Sequence, residues 1–435
     1  MFKKFLVLIM MVAVSSVALC VNVIFLIGDG MSTNQLVLAS ILEGKVLNIM
    51  KLPYSGITLT YSADSWVTDS APAGTALATG FKTLNKAIGV LPNNEPVYSM
   101  VELARDLGYK TGIVVACRVT HATPASFYGH VANRDDELVL AEQLSNAGID
   151  VVFGGGYSYF LPESKGGTRK DGKDLVEKMI GQGYEYITKK SELDSIKGEK
   201  VLGLFAPSHL APVTERTGEQ PTLDVMTKKA IEILSRSSED FILMVEGSQI
   251  DWEAHANDFY GVWKEVMEFD NAVKVAIDFA KQNGNTLVVV TGDHETGGLS
   301  LSKGGYSILV NQARNAKGTT TMFLKQFKIQ EKEKFIAGLK DWYKVEISDQ
   351  EYEMLAKIPA SELRRELARF VSGKLGFGWT TYDHTAGPVP IYAFGQGAQY
   401  FTGFMDNTDV AKMIMKLCGI SSATFPVIGV AVSHR

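Results

Sequence analysis

Cysteine is scarce in this chain. The 435 residues hold three, at 20, 117 and 418, and three cannot all pair within one chain. Cys117 also lies in an apolar run, so disulfides carry little of the stability even in an exported protein. Charge of one sign is equally scarce. Lys+Arg of 43 against Asp+Glu of 48 leaves a net charge of −5, and no like-charged block forms a basic stripe. Nucleic acid is therefore a poor partner, and no nucleic-acid-binding domain is expected. Internal repeats and low-complexity tracts are missing too. Histidine numbers only seven, few enough that each position carries information. What remains is 46% hydrophobic and 21% charged, ordinary for a soluble globular chain. The length suits one large domain with insertions, or two domains.

The one long apolar run is at the start, "MFKKFLVLIMMVAVSSVALC". Lys3 and Lys4 precede an apolar core from Phe5 to Val14, and Ser16-Val17-Ala18 has the small-x-small pattern of a signal-peptidase site. Ser15, Ser16 and Asn22 interrupt the run, so a cleaved export signal over residues 1–18 is expected rather than a membrane span. A lipid anchor on Cys20 is disfavoured, because Leu19 is bulky where small residues normally precede such a cysteine. The mature chain is then periplasmic or extracellular.

Beyond it, "VNVIFLIGDG", "KTGIVVACRVTH", "DVVFGG", "EDFILMVEGS", "NTLVVVTGDH" and "VPIYAFG" are strand-like runs, most of them ending at Gly, Asp or Thr. Near-continuous apolar runs suit strands buried on both faces. Helical patterns alternate with them, which predicts an α/β fold: a large central, mostly parallel β-sheet flanked by helices. Residues 19–435 read as one domain. From about 311 to 377 the pattern turns Lys/Glu-rich and helical, and is read as a helical insertion.

Ligands of such sheets gather beyond the C-terminal strand ends. Asp29, in "FLIGDGMS", would alone be an ordinary turn acid. Asp251 and His255 in "EGSQIDWEAHAND" are four apart, one helical turn, and can share a metal ion; Glu246 ends the strand just upstream. Asp293 and His294 in "VTGDHETGG" can reach one site only where the strand has ended. In "CRVTHATPASFYGHVANR", Pro124 suits the first helical position and Thr123 its N-cap. His121 then faces the same way as Thr123, and Arg134 follows. His384 precedes the last strand signal. Carboxylates mixed with imidazoles suit zinc, and oxygen-only positions suit magnesium.

Ser70, in "VTDSAPAGTALATG", has no histidine within fifty positions on either side. A serine there could simply open a helix. A metal ion can also hold it as the alkoxide with no base histidine, at the positive end of a helix where anions bind.

These motifs resemble the alkaline phosphatases. "GDGM", "VTDSAPAGTA", "THATPASFYGHVANR", "VEGSQIDWEAH", "GDHETGG" and Asp383-His384 occur in the family's order, from about Asn22 to Gly403. The resemblance implies hydrolysis of small phosphate monoesters through a phosphoserine on Ser70, with two zinc ions and one magnesium. It gives Asp251, His255 and His384 to the first zinc, and Asp29, Asp293, His294 and Ser70 to the second. Asp29, Thr123 and Glu246 would form the magnesium-type site. Arg134 would grip the phosphate, and His121 and Trp252 fall at substrate-side positions that vary among relatives. A homodimer is the family expectation. A phosphodiesterase of the same superfamily and a metal-loaded phosphate-binding protein without turnover are the alternatives. The sulfatase pattern lacks its Arg in "SAPAG", and no G-x-S-x-G elbow surrounds Ser70.

Overall fold

The computed structural model describes residues 21–420, so the stretch expected to be an export signal, and Cys20, lie outside the described residues. Ten strands form the main sheet. In chain order they are β1 (Asn22–Gly28), β2 (Tyr54–Leu59), β3 (Lys110–Arg118), β4 (Val151–Gly155), β5 (Glu185–Ile187), β6 (Val201–Leu204), β7 (Phe241–Gly247) and β8 (Thr286–Gly292). After two short pairs, β9 (Glu295–Thr296) with β12 (His384–Thr385) and β10 (Leu299–Ser300) with β11 (Gly378–Trp379), come β13 (Val389–Gly395) and β14 (Gly403–Asp406). The spatial order is β14-β2-β13-β8-β1-β7-β3-β4-β6-β5. β13 is antiparallel to both its neighbours, and every other pairing in the sheet is parallel. The mostly parallel sheet read from the apolar runs is what the chain builds.

β1 shows why those runs are continuous. Ile24 and Leu26 enter one core, while Val23, Phe25 and Ile27 enter the other across the sheet. Both faces are covered, so neither can be polar. Helices Phe259–Asn283, Leu223–Leu234 and Thr33–Glu43 pack on the first face. Helices Ser70–Thr79, Met100–Asp106, Glu137–Ala147 and Asn407–Leu417 cover the second. Ser70–Thr79 is buried throughout, and its small residues allow that. A Cβ at Gly74 would stand 2.8 Å from Ser126 Oγ on the neighbouring segment.

Between β10 and β11 five helices, Val310–Arg314, Thr320–Gln326, Lys332–Tyr343, Asp349–Ala356 and Ala360–Lys374, share the first core through Phe323, Phe335, Leu339, Leu367 and Val371. Asp258 ties them in. One of its oxygens caps helix Phe259–Asn283, and the other accepts from the Thr320 amide at 2.7 Å and hydroxyl at 2.8 Å. Helix Ala360–Lys374 then holds the loop that leads to β12. Arg369 donates to the Trp379 carbonyl at 2.9 Å, and Tyr382 donates to Glu366 at 2.9 Å.

In β1, β7 and β8 the glycines 28, 247 and 292 stand in register, so three neighbouring strands end level. The chain that leaves them builds the site.

Candidate metal centre

Asp29 follows β1, Glu246 is the penultimate residue of β7, and Asp293 and His294 follow β8. All four are fully buried, as is Thr123. Gly30 lets the first turn close: its φ is +70°, and a Cβ there would lie 2.7 Å from the Asp251 Cα. Its amide donates to Asp293 at 3.0 Å and so orients that carboxylate.

Two groups of side chains converge beyond the strand ends. In the first, Asp251 and His255 sit one turn apart on helix Gln249–His255, with Oδ2 and Nε2 3.3 Å apart. His384 arrives on β12, its Nε2 3.5 Å from Asp251 Oδ1 and 3.1 Å from His255 Nε2. Each ring donates Nδ1–H to a backbone carbonyl, His255 to Tyr382 and His384 to Thr68 at 2.8 Å. In their neutral forms both rings therefore turn an Nε2 lone pair inward, the arrangement that binds a metal. Two lone pairs at that separation repel unless a cation lies between them.

In the second group, His294 Nε2 lies 3.2 Å from Ser70 Oγ, 3.2 Å from Asp293 Oδ2 and 3.5 Å from Asp29 Oδ1. Asp251 also lies within reach of Asp29 and His294, so it stands between the two groups. The fold thus brings a histidine to a serine that has none nearby in sequence. A general base would meet the serine alone, whereas this nitrogen is crowded by three oxygens, the geometry of ligands around one ion. Thr296, which the sequence reading missed, donates to Asp251 at 2.6 Å and lies 3.3 Å from His294 Nδ1.

Both oxygens of Asp29, Asp293 Oδ2, Glu246 Oε1 and Thr123 Oγ1 are buried without a hydrogen-bond partner in the protein. Unsatisfied buried acceptors are costly, and such a cluster fits divalent cations. The electrostatics agree. Burial, with Asp251 and Glu246 nearby, pushes Asp293 up to about 8, and burial pushes Glu246 up to about 7. Burial and then Asp293 raise Asp29 well above the usual carboxylate range. Burial resists the charging of His255, but Asp251 beside it pushes it up to about 9. Without cations these acids cannot all ionise together.

Glu246 forms a third group with Cys117 and His121. Cys117 was read only as part of an apolar strand, yet its thiol lies 3.2 Å from Glu246 Oε2. Thr123 is not the N-cap that Pro124 suggests. Helix Ala122–Ala125 starts earlier, with His121 as its N-cap, so Thr123 is helical rather than extended. Pro124 still falls in the first turn, where its missing N–H leaves no gap.

The substrate side is built on Ser70, the first residue of helix Ser70–Thr79. Asp69 caps that helix, accepting from the Ala71 amide at 2.7 Å. The same carboxylate accepts from Arg134 at 3.1 Å, and Arg134 also meets His121 Nε2 at 3.1 Å. Arg134 is thereby held beside the serine. Trp252 packs edge-on against His121 and His209, with ring centroids 5.8 and 4.3 Å away. His209, overlooked in the sequence because no acid or glycine motif flanks it, is held by Arg118, itself paired to Glu137.

Comparison with known proteins agrees with this architecture. The sequence profile of the family described as "Alkaline phosphatase" matches residues 20–420. Alkaline phosphatase 4 of Bacillus subtilis is 38% identical over 91% of this chain and 88% of its own length. The repressible alkaline phosphatase of Saccharomyces cerevisiae is 32% identical over 90% of this chain and 80% of its own. Among solved structures, the cold-active alkaline phosphatase of a psychrophilic Shewanella superposes with a TM-score of 0.82 at 33% identity, covering 91% of this chain and 99% of that one. A mutant of the alkaline phosphatase from the Antarctic bacterium TAB5, with Mg bound in its M3 site, gives 0.70 at 32% identity, covering 92% and 98%. With level strand ends, buried unpartnered acids and inward-facing imidazoles matched by that likeness along almost its whole length, the chain belongs to the alkaline phosphatase family of metal-dependent phosphomonoesterases.

Proposed function

We propose that this enzyme transfers the phosphoryl group of small monoesters to Ser70 and then to water, with zinc at the two histidine-bearing groups. The observation that carries the reading is that Ser70 Oγ, Asp29 and Asp293 all lie within 3.5 Å of His294 Nε2, amid buried oxygens that lack partners. Both imidazole–carboxylate sets suit zinc. Magnesium, the third ion that the family resemblance implies, takes oxygen ligands, and Cys117 and His121 beside Glu246 are not oxygen donors.

When bound, the two ions supply positive charge where oxygen anions form and lower the pKa of the hydroxyl and of water. The remaining work falls to the chain. Ser70 Oγ, its proton already lost to solvent, attacks phosphorus in line; its bond to phosphorus forms as the ester O–P bond breaks, and the leaving oxygen takes a proton from water to depart as the alcohol. The amide end of helix Ser70–Thr79 adds partial positive charge at the nucleophile. Arg134 keeps donors free beyond those engaged by Asp69 and His121, and these fork onto two phosphate oxygens. Water then opens phosphoserine from the side of Asp251, His255 and His384. Both nucleophiles react deprotonated, so activity rises toward alkaline pH. Export through residues 1–18, one domain over 19–435 and a homodimer complete the proposal. Among the described residues no helix is long and apolar enough to cross a membrane.

The test compares p-nitrophenyl phosphate, its bis-ester and its sulfate at alkaline pH, with and without chelator. Monoester turnover far above the others, lost on chelation, is expected. Preference for the diester would overturn the role given to Arg134, and an inert protein would return the phosphate-binding alternative. Arg134→Ala should weaken inhibition by phosphate about 10- to 100-fold, the worth of roughly 1.5–3 kcal/mol for a charge-assisted bond, with metal content unchanged. Unchanged inhibition would leave Arg134 a structural partner of Asp69 only.

A further inference from the structure

The group around Glu246 differs in chemistry from an oxygen-only magnesium site. β3 and β7 run in parallel with Val115 opposite Glu246. Cys117, two residues on, projects to the same face of the sheet, where the two side chains meet. Both are fully buried. The thiol lies 3.2 Å from Glu246 Oε2 and 3.1 Å from the Arg118 carbonyl. It has one proton and cannot donate to both. Whichever oxygen goes without meets a sulfur lone pair at close range, an arrangement that a cation relieves. Glu246 Oε2 already accepts from Ser248 at 2.7 Å, so it does not need the thiol as a donor. Around the pair, Glu246 Oε1, Thr123 Oγ1 and His121 Nδ1 are all buried with no partner. The ligand atoms of Cys117, His121 and Glu246 lie within 4.8 Å of one another, the span of donors around one ion.

We propose that the third metal position of this chain takes a thiophilic divalent cation such as zinc, in preference to magnesium, with the Cys117 sulfur and the Glu246 carboxylate as ligands. The inference rests on the proposed metal chemistry of the neighbouring groups. Sulfur is a soft donor that selects zinc or cobalt over a hard ion, while magnesium demands a full oxygen shell. Binding forms the metal–sulfur bond and releases the Cys117 proton to solvent.

Cobalt reports the bond directly, because sulfur-to-cobalt charge transfer absorbs strongly in the near ultraviolet and nitrogen or oxygen ligation does not. The mature chain carrying Cys20→Ser and Cys418→Ser, with Cys117 its sole cysteine, is stripped by chelation and reloaded with Co2+. The expected result is three cobalt ions per chain, an intense charge-transfer band, and a third ion that excess Mg2+ does not displace. Adding Cys117→Ser should remove the band and let Mg2+ displace that third equivalent. Should this last variant fail to fold, the band in the sole-cysteine chain decides the matter. Cobalt bound without the band overturns the sulfur ligand while leaving the two histidine-bearing groups as read. A protein that takes up no cobalt sinks both this inference and the proposed function.

Discussion

On the proposed mechanism, Ser70→Ala keeps its metal and still binds inorganic phosphate, but its turnover falls by about four orders of magnitude or more, the usual scale for loss of a covalent nucleophile. The reason is positional. Ser70 opens a helix whose every residue is buried, and its cap, Asp69, is the same carboxylate that holds Arg134. Removing one oxygen leaves the cap, Arg134, Asp29, Asp293 and His294 in place. Metal retention with lost phosphoserine, read by zinc content and by trapping of labelled phosphate at acid pH, separates a missing nucleophile from a misfolded site. A variant that still turned over at the wild-type rate would mean that water attacks the ester directly, and Ser70 would be only the first residue of its helix.

Removing the metals abolishes activity and makes stability fall steeply with pH. Asp293 and Glu246 have folded pKa values raised above their unfolded ones, to about 8 and about 7, and His255 is raised to about 9. A group raised in this way stabilises the fold below its unfolded pKa and loses that contribution as pH rises through its folded pKa. Between pH 7 and 9 Asp293 and His255 still pass through their folded values, Glu246 has completed most of its fall near 7, and the lowered groups Asp251 and His294 have finished titrating, so the slope keeps one sign. The chelated protein should therefore lose on the order of a few kcal/mol across this window, several degrees of Tm, while the zinc-loaded protein stays nearly flat. Calorimetry of both forms at several pH values checks it. Parallel curves would mean that the acids are neutralised by something other than metal. Alkaline conditions, which favour the nucleophiles, are thus those in which the protein most needs its ions.

Much of this centre was legible because strand ends write themselves plainly. An apolar run that stops at Gly-Asp or Gly-Asp-His marks both the end of a buried strand and the first polar side chain beyond it, which is how Asp29, Asp293 and His294 could be read. Asp251 and His255 were legible from helical spacing. Strands at or next to the sheet edges were not: β2 and β14 are half exposed and β5 has three residues, so they carry no continuous apolar signal. Thr123 was misread because Pro124 is as compatible with a helix's first turn as with its first residue. Cys117 and Thr296 act through contacts 129 and 45 residues away along the chain, and no local pattern records such partners.

The loop before β12 supports the two candidate metal groups unequally. The second group is carried by the ends of β1 and β8 and by helix Ser70–Thr79. The first depends on His384 and on the Tyr382 carbonyl, and helix Ala360–Lys374 holds that loop from outside the sheet through Arg369 and Glu366. On the proposed mechanism, loosening of helix Ala360–Lys374 would reach the group of Asp251, His255 and His384 before the group around Ser70, so the step that returns the phosphoryl group to water is the one these helices hold in place.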